Sequence, residues 1–196
     1  METEKKALFS EGNVPPGGTC LSSFVAVTSD SRLLTGRMAK PEIWVERFFV
    51  GENYAPRIAE SGKKVLPASH LKWYESPIEA AERVIREQLN MKAGGGKLKL
   101  IDVQSHLSGD PKNQSQPAHW DICFVYQLAV PGSVERNYSP PEWFAELEFT
   151  PLRKLSGDSF ARGHGDVLDA ARKKLSVSKS GKKMRASAGK TRKRKK

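Results

Sequence analysis

A chain of 196 residues with 38% hydrophobic content has room for one domain with a buried core plus some unstructured sequence, and not for two independent domains. No uncharged apolar run approaches the roughly 18 residues that span a bilayer, and two cysteines, Cys20 and Cys123, are too few for a disulfide scaffold or a thiolate zinc site. The formal charge of +11 is lopsided: thirteen cations and no Asp or Glu lie from Arg172 to Lys196, so residues 1–171 carry −2.

Met1 to Ser10, METEKKALFS, mixes charges of both signs and has no continuous apolar stretch, unlike a secretory signal. This predicts an intracellular protein, cytoplasmic or, in a eukaryote, nuclear, with no membrane partner. Residues 1–19, through Pro15-Pro16-Gly17-Gly18, read as a flexible lead. The folded domain is predicted over residues 20–175. It opens with a strand over Leu21 to Thr28, a turn at Ser29-Asp30-Ser31 and a hairpin partner over Leu33 to Arg37. Ile43 to Val50, IWVERFFV, reads as a third strand.

A helix signal begins at Ser76-Pro77-Ile78-Glu79, with a Ser N-cap, Pro at the first helical position and a Glu placed to close a capping box. Ile78, Ala81, Ile85 and Leu89 then fall at helical spacing on one buried face, and Asn90 with the Gly94-Gly95-Gly96 run ends it. Further strands are predicted over Leu98 to Val103 and Ile122 to Val130, the second apolar enough for the middle of a sheet. Two turn-rich loops, Ser108 to Ala118 and Pro131 to Pro141, are long enough to be functional. A last helix is placed over Val167 to Leu175 with Asp166 as its N-cap. Residues 176–196 have only Val177 and Met184 as sizeable apolar groups, which predicts a disordered basic tail. The order of elements is that of a mixed α/β domain.

Within this frame, Leu66 to Met91, LPASHLKWYESPIEAAERVIREQLNM, resembles the strand-loop-helix signature of the Nudix hydrolases. The positions retained are Glu75, Arg83, Ile85, Glu87 and Met91, with Leu66-Pro67 and Ala80-Ala81 beside them. The departures are Ser69 for the first Gly, Val84 and Gln88 for the first and last Glu of the helix, and Asn90 for the closing Gly. The resemblance extends in outline over residues 20–172 and implies an α-β-α sandwich with a mixed sheet. It also implies candidate catalytic positions at Glu75, Arg83 and Glu87, with Glu87 as a metal ligand for Mg²⁺ or Mn²⁺ if the protein is active.

Hydrolysis of a phosphoanhydride needs charge neutralisation and an activated water, which hard divalent ions supply through carboxylate oxygens. Positions 84, 87 and 88 share a face at helical spacing, but Val84 offers no oxygen and Gln88 a neutral one. Glu87 either remains a weak ligand or forms an i,i+4 ion pair with Arg83, and Glu75 either serves the site or holds the loop against Arg83. Glu135, Glu142, Glu146 and Glu148 lie in the region where such enzymes place a further carboxylate. His70, His106, His119 and His164 show no zinc-type pairing, and His119 beside Trp120 is placed to line a pocket. Trp73-Tyr74 either stacks on a base or plugs a pocket that no longer admits a diphosphate.

Lys182, Lys183, Arg185, Lys190, Arg192, Lys193, Arg194, Lys195 and Lys196 give the tail a salt-sensitive attraction for RNA or DNA phosphates, and its last seven residues have the composition of a nuclear localisation signal. Phosphorylation of Ser176, Ser178, Ser180 or Ser187 would weaken that attraction; the other reading of the tail is a solubilising extension or an anchor to an acidic protein. The leading reading is therefore a non-catalytic nucleotide- or protein-binding scaffold with a largely lost metal site, tethered to nucleic acid by its tail. A divergent Mg²⁺-dependent hydrolase of nucleoside diphosphate derivatives is the alternative, and a structural subunit of a ribonucleoprotein a further one.

Overall fold

A computed structural model describes residues 19–48, 50, 54–91, 97–108, 119–161 and 163–174. The predicted lead and basic tail, and most of the loop from Ser108 to Ala118, lie outside these residues. In chain order the elements are β1 (Thr19–Ser29), β2 (Arg32–Met38), α1 (Pro41–Phe48), α2 (Tyr54–Ser61), β3 (Ala68–His70) and α3 (Pro77–Arg83). The last of these runs into a π-helical turn (Val84–Gln88). Then follow β4 (Lys99–Ser108), β5 (His119–Ala129), α4 (Gly132–Asn137), β6 (Phe144–Pro151) and a terminal helix α5 over 164–174.

The sheet is mixed. Its order is β4-β5-β1-β2-β6, with β3 alongside β1. The near-continuous apolar run of β5 lies parallel to β1, register Ser22 to Cys123, while β3 meets β1 antiparallel, Ser22 opposite His70. Alternation along β1 divides the core: Val25 and Val27 join the cluster under α1, α2 and α3, and Phe24 and Ala26 join the one under α5. Both sheet faces are thus covered by helices, which makes an α/β sandwich of the predicted class.

Four features depart from the sequence reading. The segment Ile43 to Val50 is mostly helix α1, because Trp44 and Phe48, one helical turn apart, are the buried pair, and Trp44 Nε1 donates to the carbonyls of Ala39 and Trp143. An apolar run of that length fits either period until tertiary partners choose. Helix α2, with Ala55 and Ile58 buried, carries too few apolar residues to announce itself. Helix α4 occupies part of a predicted loop, and α5 begins at residue 164, upstream of the proposed Asp166 cap. Among the described residues no helix is long and apolar enough to cross a membrane.

Candidate functional site

Helix α3 starts where its sequence signal places it, but of the predicted buried face Ala81, Ile85 and Leu89 are buried while Ile78, in the first turn, is exposed. Ser76 Oγ accepts from the Glu79 amide at 3.4 Å and Glu79 Oε2 accepts from the Ser76 amide at 2.8 Å, and Ser23 Oγ donates to the Pro77 carbonyl at 2.7 Å, tying this end to β1. The preceding loop is fixed by Arg83, whose side chain is buried. Its Nε and Nη2 donate to the two oxygens of Glu75 at 2.7 and 2.9 Å. Nη2 also donates to the His70 carbonyl at 2.8 Å, and Nη1 to Ser69 Oγ at 3.1 Å. Burial alone would raise the Glu75 carboxyl, but Arg83 and the Lys72 amide outweigh it and hold it below its ordinary value. Arg83 does not pair with Glu87, the partner its spacing suggested. A helical side chain points back toward the helix N-terminus, which takes Arg83 to the loop.

Positions 84, 87 and 88 are separated by burial. Val84 is fully buried and Gln88 is 1% exposed. The Gln88 carboxamide accepts from the Ala68 amide at 3.2 Å and donates to the Ala68 carbonyl at 2.6 Å, so both of its ends are spent on β3. Glu87 stands at the solvent edge, paired with Arg86 at 2.9 Å. Asn90, at φ 50°, holds the left-handed conformation that Gly adopts most easily and Asn tolerates better than most residues. The helix end is closed by Trp143 Nε1 donating to the Gln88 carbonyl at 2.9 Å and Tyr138 Oη donating to that of Leu89 at 2.7 Å.

Beside this clamp a cavity of about 140 Å³ opens, with Ser22, Phe24, His70, Asp121, Cys123 and His164 among its lining residues. Ser22 Oγ is within donating distance of Asp121 Oδ1, at 3.0 Å, and of Cys123 Sγ, at 3.3 Å. Burial, reinforced by Asp121, pushes the Cys123 thiol up to about 12, so it stays protonated and is no nucleophile. His164 Nδ1 accepts from the Leu66 amide at 2.9 Å and its ring meets Phe24 edge-on at 5.0 Å. Burial lowers His164 to about 4 and keeps it neutral. His106, also on this wall, bonds Gln104 at 3.1 Å and lies 3.5 Å from Asp166. Ser22, Asp121 and Cys123 escaped the sequence reading, because only the parallel β1–β5 register unites residues a hundred positions apart. The one available signal was the pair Ser22-Ser23 inside an otherwise apolar strand.

No protein-family model matches the chain, and no curated protein does. Solved structures do. A mutT/nudix family protein from Listeria innocua superposes with a TM-score of 0.55 at 18% identity, over 81% of this chain and 95% of its own. An Ap4A hydrolase from C. elegans gives 0.53 at 10% identity, over 81% and 98%. The NUDIX domain of Shewanella oneidensis NrtR, crystallised with ADP ribose, gives 0.51 at 13% identity, over 84% and 95%. The chain has a Nudix fold.

At these identities the likeness is one of fold, so the divalent ion associated with Nudix hydrolases has to be tested on the side chains present. They do not fit it. Val84 has no donor atom, the Gln88 carboxamide is turned to Ala68, and Glu87 is left with Arg86. Among the described residues no group of three or more His, Cys, Asp or Glu is placed to share a metal ion. The later carboxylates are held by other cations: Glu135 of α4 pairs with Arg32, Glu142 with Lys40 at 2.5 Å, and Glu146 with Lys64 at 3.1 Å and Arg37 at 3.2 Å. Glu148 lies 3.7 Å from Lys64. The side chain of His119 lies outside what is described, as do the cations from Lys182 to Lys196. Trp73 and Tyr74 plug nothing: they are 57% and 96% exposed.

Proposed function

We propose that this protein is a Nudix-fold binding module working inside the cell, which takes a nucleoside diphosphate derivative at the cavity beside β3 without a metal-assisted cleavage step and is tethered to RNA or DNA by its basic tail. The observation that carries this reading is the pair of hydrogen bonds from Gln88 to the Ala68 backbone. A side chain so engaged, beside a buried Val84, leaves one carboxylate where a diphosphate-bound metal needs several. The cavity supports the ligand half of the reading: an apolar wall at Phe24 and hydrogen-bonding groups at Ser22, Asp121 and His106 are the combination that seats a small polar heterocycle. The thirteen uncompensated cations from Arg172 onward support the tether.

The test is isothermal titration of the full chain with ADP ribose and related nucleoside diphosphate derivatives, in EDTA and again in excess Mg²⁺. Equal affinity in both buffers is the expected result. Binding that requires Mg²⁺ would refute the metal-free reading and favour the divergent hydrolase.

A further inference from the structure

The exposed aromatic side chains of the described residues gather at one end of the sheet. Trp73, Tyr74 and Trp120 are 57%, 96% and 54% exposed. Their placement follows from the register: His70 and Cys123 both lie opposite Ser22, one on each side of β1. Trp120 stands opposite Thr19 at the start of β1 on the parallel side, and Trp73 lies in the turn that follows β3 on the antiparallel side. Trp73 and Tyr74 rings stand 6.1 Å apart at 46°, and Tyr74 holds φ 58°, an unfavourable conformation for an aromatic residue that points its ring into solvent. Ile78, in the first turn of α3, is also exposed, at 42%.

We infer that Trp73, Tyr74 and Trp120 form a base-stacking platform for single-stranded nucleic acid, the tail holding the phosphates of the same strand. This rests on the tether proposed above and assigns the folded body a share in it. Charge favours a nucleic acid over a protein partner. A chain whose last twenty-five residues carry thirteen cations and no carboxylate concentrates phosphate around itself, and flat aromatic faces beside such a field are what splayed-out bases stack on without regard to sequence. Reach permits both contacts at once. Arg172, near the end of α5, donates to the carbonyls of Leu152 and Leu155, at the far end of the sheet from the platform. The residues after Lys174 span up to about 70 Å when extended, while the eleven residues of β1 cover only about 36 Å. Two linked weak contacts then act at high effective concentration.

Fluorescence anisotropy of the full chain with labelled oligo(U), and with a duplex RNA of equal length, tests this. The double variant Trp73→Ala/Tyr74→Ala should lose about 10- to 100-fold in affinity for oligo(U) and keep its affinity for the duplex, whose bases are already stacked on each other. Trp73→Phe/Tyr74→Phe should restore most of the loss. Because all three rings are exposed, the fold should tolerate the changes, and quenching of tryptophan emission by oligo(U) in the unaltered protein gives a second readout. Unchanged oligo(U) affinity and no quenching, with binding still lost when Lys190, Arg192, Lys193 and Arg194 become Ser, would overturn the platform and leave the tether standing. Absence of binding to either RNA would remove both. A protein whose capture depends on Trp73 and Tyr74 while oligo(U) affinity does not would also overturn the platform.

Discussion

Gln88 and Ala68 are joined by two hydrogen bonds, 3.2 Å to the amide and 2.6 Å to the carbonyl, across twenty residues of chain. The Gln88 carboxamide thereby braces the π-helical turn against β3. The brace requires a group that both donates and accepts, which a carboxylate at neutral pH does not.

Gln88→Glu is therefore expected to lower stability at pH 7 by about 3 kcal/mol, since it buries a charge against a carbonyl oxygen and leaves a donor role unfilled. Part of the loss should return in acid, where the carboxyl regains a proton. Urea unfolding at pH 7 and pH 4.5 reads both effects, and a variant as stable as the parent at pH 7 would refute the brace.

Arg83 and Glu75 form the other internal tie. Removing one partner by Arg83→Ala or Glu75→Gln should cost about 3–5 kcal/mol, because the remaining group is left buried without its complement. The folded Glu75 carboxyl lies below its ordinary value. Its contribution is thus full above the unfolded carboxyl range and is lost as pH falls through the folded value. Stability measured from pH 6 into acid should show that step in the parent protein and not in Glu75→Gln.

His164 gives a separate pH dependence. Its folded value, about 4, lies below the ordinary 6.5, so between these limits the unfolded chain binds a proton that the folded one refuses. Stability should fall by up to about 3 kcal/mol as pH drops from 6.5 to 4 and level off below. His164→Asn retains an acceptor for the Leu66 amide and cannot titrate, so it should be flat across that window. A variant that keeps the full slope would assign it to another group.

Much of the loop-helix unit was legible because its signals are local. The Ser76 cap, Pro77, the Glu79 box and the spacing of Ala81, Ile85 and Leu89 lie within fifteen residues, and local propensity and tertiary packing agree there. Glu75 and Arg83 were legible through the motif they share. Helix α1 was not, since IWVERFFV suits a strand by composition and only Trp143 and Phe144, a hundred residues on, settle which face of Trp44 is buried. The cavity was hidden for the same reason: Ser22, Asp121 and Cys123 meet only through sheet register. The partner of Gln88 is a backbone, and a backbone leaves no trace in sequence.

Asn90 holds a left-handed conformation that glycine adopts most easily. Asn90→Gly should change stability by less than about 0.5 kcal/mol, and Asn90→Ala should cost about 1 kcal/mol for the left-handed conformation. Thermal melts suffice, and an alanine variant equal to the parent would show that this position carries no conformational demand.

If the protein binds without metal-assisted cleavage, as proposed, diphosphate hydrolysis is the activity it should lack. Release of mononucleotide from ADP ribose and from a dinucleoside polyphosphate should be followed with the full chain in Mg²⁺ and in Mn²⁺, beside Glu87→Gln. Neither protein is expected to show turnover above the buffer rate. Metal-dependent turnover in the parent that falls by orders of magnitude in Glu87→Gln would contradict the proposal.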